Sequence, residues 1–217
     1  RNRSFRETLL VHKEVVLNRK VSPLRLMSLR IASKARPVRD PPDLRTTAVE
    51  EFRTPEGHVL ATPNRITKAA AVVLARHWPT AVTFDELHAQ SRALLAGPDP
   101  STENERGLLA SDLMRCYGAG VVELRSAPSP FVTHVGERPV ASALVRLQAG
   151  RGTRVTNRRH ELLTLDEDLC RLCRLLDGSR SRSELAESAW RSPSSSGSVE
   201  STDAALERLA LLALLVG

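Results

Sequence analysis

The residues that most invite chemistry are Cys170-Arg-Leu-Cys173. On a helix this spacing puts both sulfurs nearly on one face, as a dithiol redox centre or half of a zinc site requires. A structural zinc ion needs four ligands, and the remaining cysteine, Cys116, is distant in sequence. Both residues also fall in a Leu-rich helical stretch, where cysteine serves as a small apolar side chain, so core packing is their expected role. The six histidines at 12, 58, 77, 88, 134 and 160 show neither His-x-x-x-His nor His-Glu-x-x-His spacing. They are expected at the surface or at helix ends. No Gly-x-Ser-x-Gly elbow sets up a nucleophile, and Ser194-Ser195-Ser196 is loop composition. Gly118-Ala-Gly120 and Gly150-Arg-Gly152 are too short to cradle a phosphate and neither opens a helix after a strand. No catalytic, cofactor-binding or metal-ligating residue is assigned from these patterns. A small redox or metal protein built on Cys170 and Cys173 would show itself by bound metal or a reversible disulfide.

Charge offers the other chemistry. Among 217 residues, 32 basic and 25 acidic groups leave a net charge of +7. The surplus is segregated: residues 1–45 carry net +8, 46–137 net −3, 138–160 net +6 and 161–217 net −4. The 138–160 segment holds six arginines and no acid: Arg138, Arg146, Arg151, Arg154, Arg158 and Arg159. These six are the candidate docking residues, suited to an acidic protein surface or to phosphates. The competing reading is solvated arginine around a short linker helix and a strand. Aromatic residues are 3% of the chain, so any core rests on Leu, Val and Ala. No run approaches the ~20 apolar residues of a membrane span, and no apolar signal segment opens the chain. Three cysteines cannot form a fully paired disulfide framework, which points to the cytoplasm. Arg1 in place of Met is read as a chain that begins inside a longer one.

The elements that must hold these groups follow a recurring order. Residues 1–20 do not settle between helix and strand. Ser22-Pro23 opens a short helix over 23–30, because proline at the first helical position loses no needed donor. The proline-rich stretch 37–45 reads as a linker. Residues 51–62 predict two short strands around Pro55-Glu56-Gly57. Asn64 is expected to cap a helix over 65–77 that Trp78-Pro79 ends. Thr83-Phe-Asp-Glu86 and Thr102-Glu-Asn-Glu105 are capping boxes for a second and a third helix. Gly97-Pro98 ends the former, residues 97–101 form a loop, and a strand over Val121–Leu124 follows the latter. Strand, three helices and strand is the order of a winged helix. A weaker copy follows: strand residues in 154–165, a helix over 166–177 ending at Gly178, a capping box at Ser181-Arg-Ser-Glu184, a Ser-rich loop at 192–201, and a helix over 202–215. The repeat aligns Leu87 with Leu185 and Leu113 with Leu209. The fold class is therefore mainly α with short β (α+β), built from tandem winged-helix-like units at 43–130 and 131–217, the second with a truncated wing.

Five runs carry a resemblance beyond this pattern: Leu26–Pro37, Trp78–Leu87, Glu137–Gln148, Val155–Glu161 and Leu176–Gly178. Together they resemble the regulatory and C-terminal region of bacterial class I methyltransferases that include protein-lysine methyltransferases. In that family an N-terminal Rossmann-like domain binds S-adenosylmethionine, and a regulatory domain and winged-helix modules follow. The resemblance implies that residues 1–42 end the regulatory domain and that the catalytic domain lies upstream. It implies a non-catalytic region that regulates or positions substrate, with the enzyme's own catalytic domain and a protein substrate as partners. No cofactor is assigned within the chain. The alternative is a tandem winged-helix transcription regulator. DNA is disfavoured because the third helix sets Glu103, Glu105 and Asp112 against Arg106 and Arg115, and its counterpart sets Asp203 and Glu207 against Arg208.

Overall fold

A computed structural model describes residues 10–16, 22–95, 103–189 and 201–217. Two hydrophobic cores organise it. The first begins with a 3-10 turn, Pro23–Ser28, followed by strand β1 (Arg30–Ala32), which is the centre of a three-stranded antiparallel sheet. Its neighbours are β5 (Val82–Thr83) and β6 (Glu123–Arg125), with Ile31 opposite both Val82 and Leu124. Between β1 and β5 the chain builds β2 (Arg36–Pro37), the hairpin β3 (Glu50–Arg53) and β4 (Val59–Thr62), and helix α1 (Arg65–His77). Helices α2 (Phe84–Leu95) and α3 (Glu103–Gly118) lead to β6.

The second core repeats this order. Strand β7 (Val140–Ala141) is central, pairing with β10 (Leu215–Val216) on one side and bridging to Asp177 on the other. Between them come α4 (Ala143–Ala149), the hairpin β8 (Arg154–Thr156) and β9 (Leu162–Thr164), then α5 (Glu167–Leu175), α6 (Arg182–Ala189) and α7 (Thr202–Leu211). The expected α+β class with winged-helix units is borne out. The hairpin of each unit, however, precedes its first long helix rather than following its third, and β10 completes the second unit's sheet. Leu26, Ile31 and Ala35, upstream of the expected boundary at 42/43, are buried in the first core because β1 is the strand on which that sheet is built.

Local chemistry explains the elements. Both capping boxes that can be inspected close reciprocally: Glu86 accepts from the Thr83 amide at 2.9 Å and its own amide donates to the Thr83 hydroxyl at 3.2 Å. Ser181 and Glu184 do the same at 2.7 and 3.3 Å. The Thr102 box, Gly97-Pro98, the 97–101 loop and most of the Ser-rich stretch lie outside the described residues. Gly178 has the left-handed φ of +84° expected where a helix terminates. Asn64 stands at the predicted helix start, but its side chain does not cap; it donates to the Asp112 carboxylate on α3 at 2.8 Å. His88, expected at the surface, is buried: it stacks on Phe84 and its Nε2 lies 3.0 Å from Glu105.

One turn shows how closely the units correspond. After α3, the Gly120 amide donates to the Tyr117 carbonyl and the Val121 amide to Cys116. After α7, the Ala213 amide donates to Ala210 and the Leu214 amide to Leu209. This hydrogen-bond pattern equates Leu209 with Cys116 rather than with Leu113. Both turns pass through a left-handed residue, Gly120 at φ +73° and Ala213 at φ +57°. In both, the carbonyl of that residue is held by the tip of the unit's hairpin: the His58 ring Nδ1 lies 3.0 Å from Gly120 O, and the Arg158 amide donates to Ala213 O at 3.0 Å. A Cβ at Gly120 would meet the His58 ring at 2.9 Å. Gly120→Ala should therefore destabilise the chain by about 1–3 kcal/mol through backbone strain and crowding, whereas Ala213→Gly should leave the thermal midpoint unchanged or raised; differential scanning calorimetry distinguishes the two.

Candidate functional site

The six arginines of 138–160 do not behave as one set. Arg151, Arg154 and Arg158 are exposed, the last donating from Nε to the Pro130 carbonyl at 3.2 Å. Arg138 is exposed and bonded to the Ser179 carbonyl. Arg146 is half-buried on α4, its Nε shielded from solvent and without a hydrogen-bond partner. Arg159 is buried, its side chain only 2% exposed, so it offers nothing to a docking partner.

What Arg159 does instead is join the two units. It projects from the β8–β9 tip, which Asn157 organises completely. Asn157 Oδ1 accepts from the amides of Arg159 and Glu161 at 2.9 Å each. Its Nδ2 donates to the Glu161 carboxylate at 2.9 Å and to the Leu212 carbonyl at 3.0 Å. All four hydrogen-bonding positions of the amide are filled, and they hold His160 at a left-handed φ of +65°. From this rigid tip the Arg159 guanidinium enters the first unit. Its Nη2 lies 2.6 and 2.7 Å from the two Glu123 carboxylate oxygens, and Nη1 donates to the Pro79 carbonyl at 3.1 Å. Its central carbon stands 4.0 Å from the centroid of the Trp78 ring. Glu123 also receives Arg125 at 3.2 Å, and Glu161 lies 3.5 Å from Arg159 Nε. A buried guanidinium is tolerated only with such pairing. Two of the runs that carry the family resemblance, Trp78–Leu87 and Val155–Glu161, thus meet each other here.

The acids that count against DNA binding are also placed. Asp112 is buried and accepts from Thr67 Oγ1 at 2.6 Å, from Asn64 and from Arg115. Burial raises its pKa, but those three donors outweigh it and leave the carboxyl below its usual range. Glu105 pairs with His88 and Arg92, and Asp203 with Arg182. These carboxylates are therefore engaged within the chain, and the repulsion expected from the bare sequence is weaker than their number implies. A cavity of about 330 Å³ lies between β4 and α3, lined by Leu60, Thr62, Asp112, Arg115, Cys116 and Val121.

All three cysteines are buried and free, Cys116 in the first core, Cys170 and Cys173 in the second. Burial pushes the Cys116 thiol up to about 11 and Cys173 to about 12, and also raises Cys170. Such thiols lack the electropositive, exposed setting of a reactive centre, and they fill core volume as expected.

Arg159→Ala should remove the bond between units and leave Glu123, already part-exposed, to Arg125 alone, costing about 1–3 kcal/mol and splitting one thermal transition into two; Arg158→Ala, at the neighbouring exposed position, should change neither. The thiols should resist a disulfide reagent at pH 8 until the chain unfolds. Because their folded pKa values lie above the ordinary value near 9, their contribution to stability is complete below pH 9 and falls between pH 9 and about 12. Urea titrations across that range measure the slope.

Comparison with known proteins agrees with this architecture. The family model of the PKMT C-terminal winged helix domain matches residues 137–194, which include the Arg159 tip. No curated protein sequence matches the chain. PKMT2 from Rickettsia typhi superposes with a TM-score of 0.75 at 17% sequence identity, covering 95% of this chain and 46% of that one. The same protein in complex with AdoHcy gives 0.74 at 18%, covering 95% and 45%. The chain thus spans less than half the length of these structures, and at such identity they establish the fold. With a PKMT-type winged-helix match in its second unit and the fold of PKMT2 along nearly its whole length, the chain bears out the expected resemblance to the C-terminal region of protein-lysine methyltransferases.

Proposed function

We propose that this chain is the regulatory and substrate-positioning region of an S-adenosylmethionine-dependent protein-lysine methyltransferase, inactive by itself, whose catalytic domain lies upstream in the parent protein. The reading rests above all on the match of residues 137–194 to the PKMT C-terminal winged helix domain. The PKMT2 fold, covering this chain with less than half of its own length, supports it by leaving room for a separate catalytic part. The expected boundary at 42/43 moves back: the stretch from Pro23 on belongs with the first winged unit, whose core takes Leu26, Ile31 and Ala35, and we assign only the residues before it to the end of a regulatory domain and 131–217 to the second unit. Among the described residues no helix is long and apolar enough to cross a membrane; we place the enzyme in the cytoplasm because its three cysteines are free.

The cofactor belongs to the upstream domain in this proposal. Within this chain the cavity between β4 and α3 offers a nucleoside no free carboxylate: Asp112, the carboxylate in its lining, already accepts from Asn64, Thr67 and Arg115. No residue of this chain is proposed to hold S-adenosylmethionine. Its role is geometric. The Arg159 junction makes the two units one arm, and a rigid arm places a bound protein at a set distance from the reacting centre. The docking groups are the exposed arginines Arg138, Arg151, Arg154 and Arg158.

Charge reversal of Arg151, Arg154 and Arg158 to Glu in the full enzyme should raise KM for the protein substrate about tenfold, with kcat unchanged, as expected for lost uniform binding. An unchanged KM sinks the docking role. A second reading, DNA binding, gains from the internal engagement of Glu105 and Asp112. A salt titration with duplex DNA separates them: a site-specific complex at moderate salt with a steep salt slope would favour the regulator, and binding that fades without sequence preference would leave only arginine-driven association.

A further inference from the structure

The second unit carries an exposed apolar surface that the arginine run alone does not account for. On α4, Val145 and Ala149 are buried, while Leu144 and Leu147 stand 50% and 52% exposed on the opposite face. Arg151 is exposed just beyond the helix end, its amide donating to the Gln148 carbonyl at 2.9 Å. The Gln148 side chain accepts from the Thr156 amide at 2.7 Å and donates to its hydroxyl at 3.2 Å. This double bond of β8 to α4 decides what lies beside the helix. Thr156 is directly opposite Leu162 on β9, and residues paired across strands share a face. Val155 points into the core, so Arg154, Thr156 and Leu162 all face outward, with Leu162 56% exposed. Gln148 and Thr156 thus join the two elements that expose these three leucines, Leu144 and Leu147 on α4 and Leu162 on β9, with Arg151 and Arg154 exposed close by in sequence.

We propose that this composite face docks an acidic amphipathic segment of a partner protein, leucine-type side chains meeting Leu144, Leu147 and Leu162 and carboxylates meeting Arg151 and Arg154. The proposal rests on the docking role above for the partner being a protein, and adds the apolar recognition that fixes its chemistry. Charge carries the choice of occupant: the stretch from 138 to 160 contains no acid, and the nearby Asp166 and Asp168 are turned to the Leu169 amide and to Arg171. Nucleic acid would gain nothing from three exposed leucines, and a seven-residue helix without aromatic anchors is a poor membrane binder.

The test uses the 217-residue chain and a synthetic amphipathic helix of about 18 residues, five turns, with Glu on one face and Leu on the other. Fluorescence anisotropy should show binding that weakens about tenfold in Leu144→Asp/Leu147→Asp and again in Arg151→Glu/Arg154→Glu, with the far-UV spectrum and thermal midpoint of each variant unchanged. Versions of the peptide with Lys for Glu, or Ser for Leu, should not bind. The proposal is overturned if the Glu/Leu peptide fails to bind, if the leucine variant binds it like the parent chain, if vesicles of anionic phospholipid displace it, or if sedimentation shows that a second copy covers the face. Peptide binding lost in these variants while KM of the full enzyme stays constant would end the substrate-docking reading and leave the surface standing.

Discussion

A single buried cation holds the two halves of this molecule in one arrangement. A guanidinium removed from water demands compensation for its charge and for its five donors. Arg159 receives it from a carboxylate, a carbonyl and the face of an indole, all supplied by the other unit. The demand is reciprocal. Trp78 and Glu123 flank helices α2 and α3, one just after α1 and one at the start of β6, and both must be in place before the pairing can form. A residue that links distant parts of one unit to the tip of another couples their folding. Lysine could not substitute, since a point charge cannot bond the carboxylate and carbonyl while lying flat on the ring.

The hairpin tip has two duties, and the first unit shows them separated. His58 and Arg158 both hold the left-handed residue that follows the third helix, one with a ring nitrogen and the other with a backbone amide. Because the second unit uses its backbone for this contact, the next side chain, Arg159, is left to reach outward. Position 58 in the first unit uses its side chain inward.

Much of the architecture is legible in the residues. The capping boxes at Thr83 and Ser181, the turn at Pro55-Glu56-Gly57, and Gly178 each answer a local backbone requirement, and local requirements survive folding unchanged. The resemblance to methyltransferase C-terminal regions is likewise visible in short runs. Three features were not legible, for one physical reason: their partners are far away in sequence. Strand β1 is only Arg-Ile-Ala, too short for an alternating pattern, and its neighbours lie some fifty and ninety residues on. Asn64 has the right type and place for a cap, but Asp112 outcompetes the helix amides for its side chain. Arg159 sits in an arginine-rich run where each residue looks solvated. The signal that marks it is the Asn157 just before it, a residue type that organises tight turns and here aims the following side chain.

The connector between central strand and hairpin is where the units diverge most. In the first it is an irregular stretch whose carbonyls at Asp43 and Thr46 are gathered by Lys68, a buried lysine whose Nζ donates to them at 3.1 and 3.0 Å. In the second it is helix α4. Both connectors pack on their cores, through Ala35 and Leu44 in the first and through Val145 and Ala149 in the second, but in different conformations. The first unit's version is tied inward by its lysine. The second copy's version kept one face on the core and turned the other into territory on which recognition can evolve.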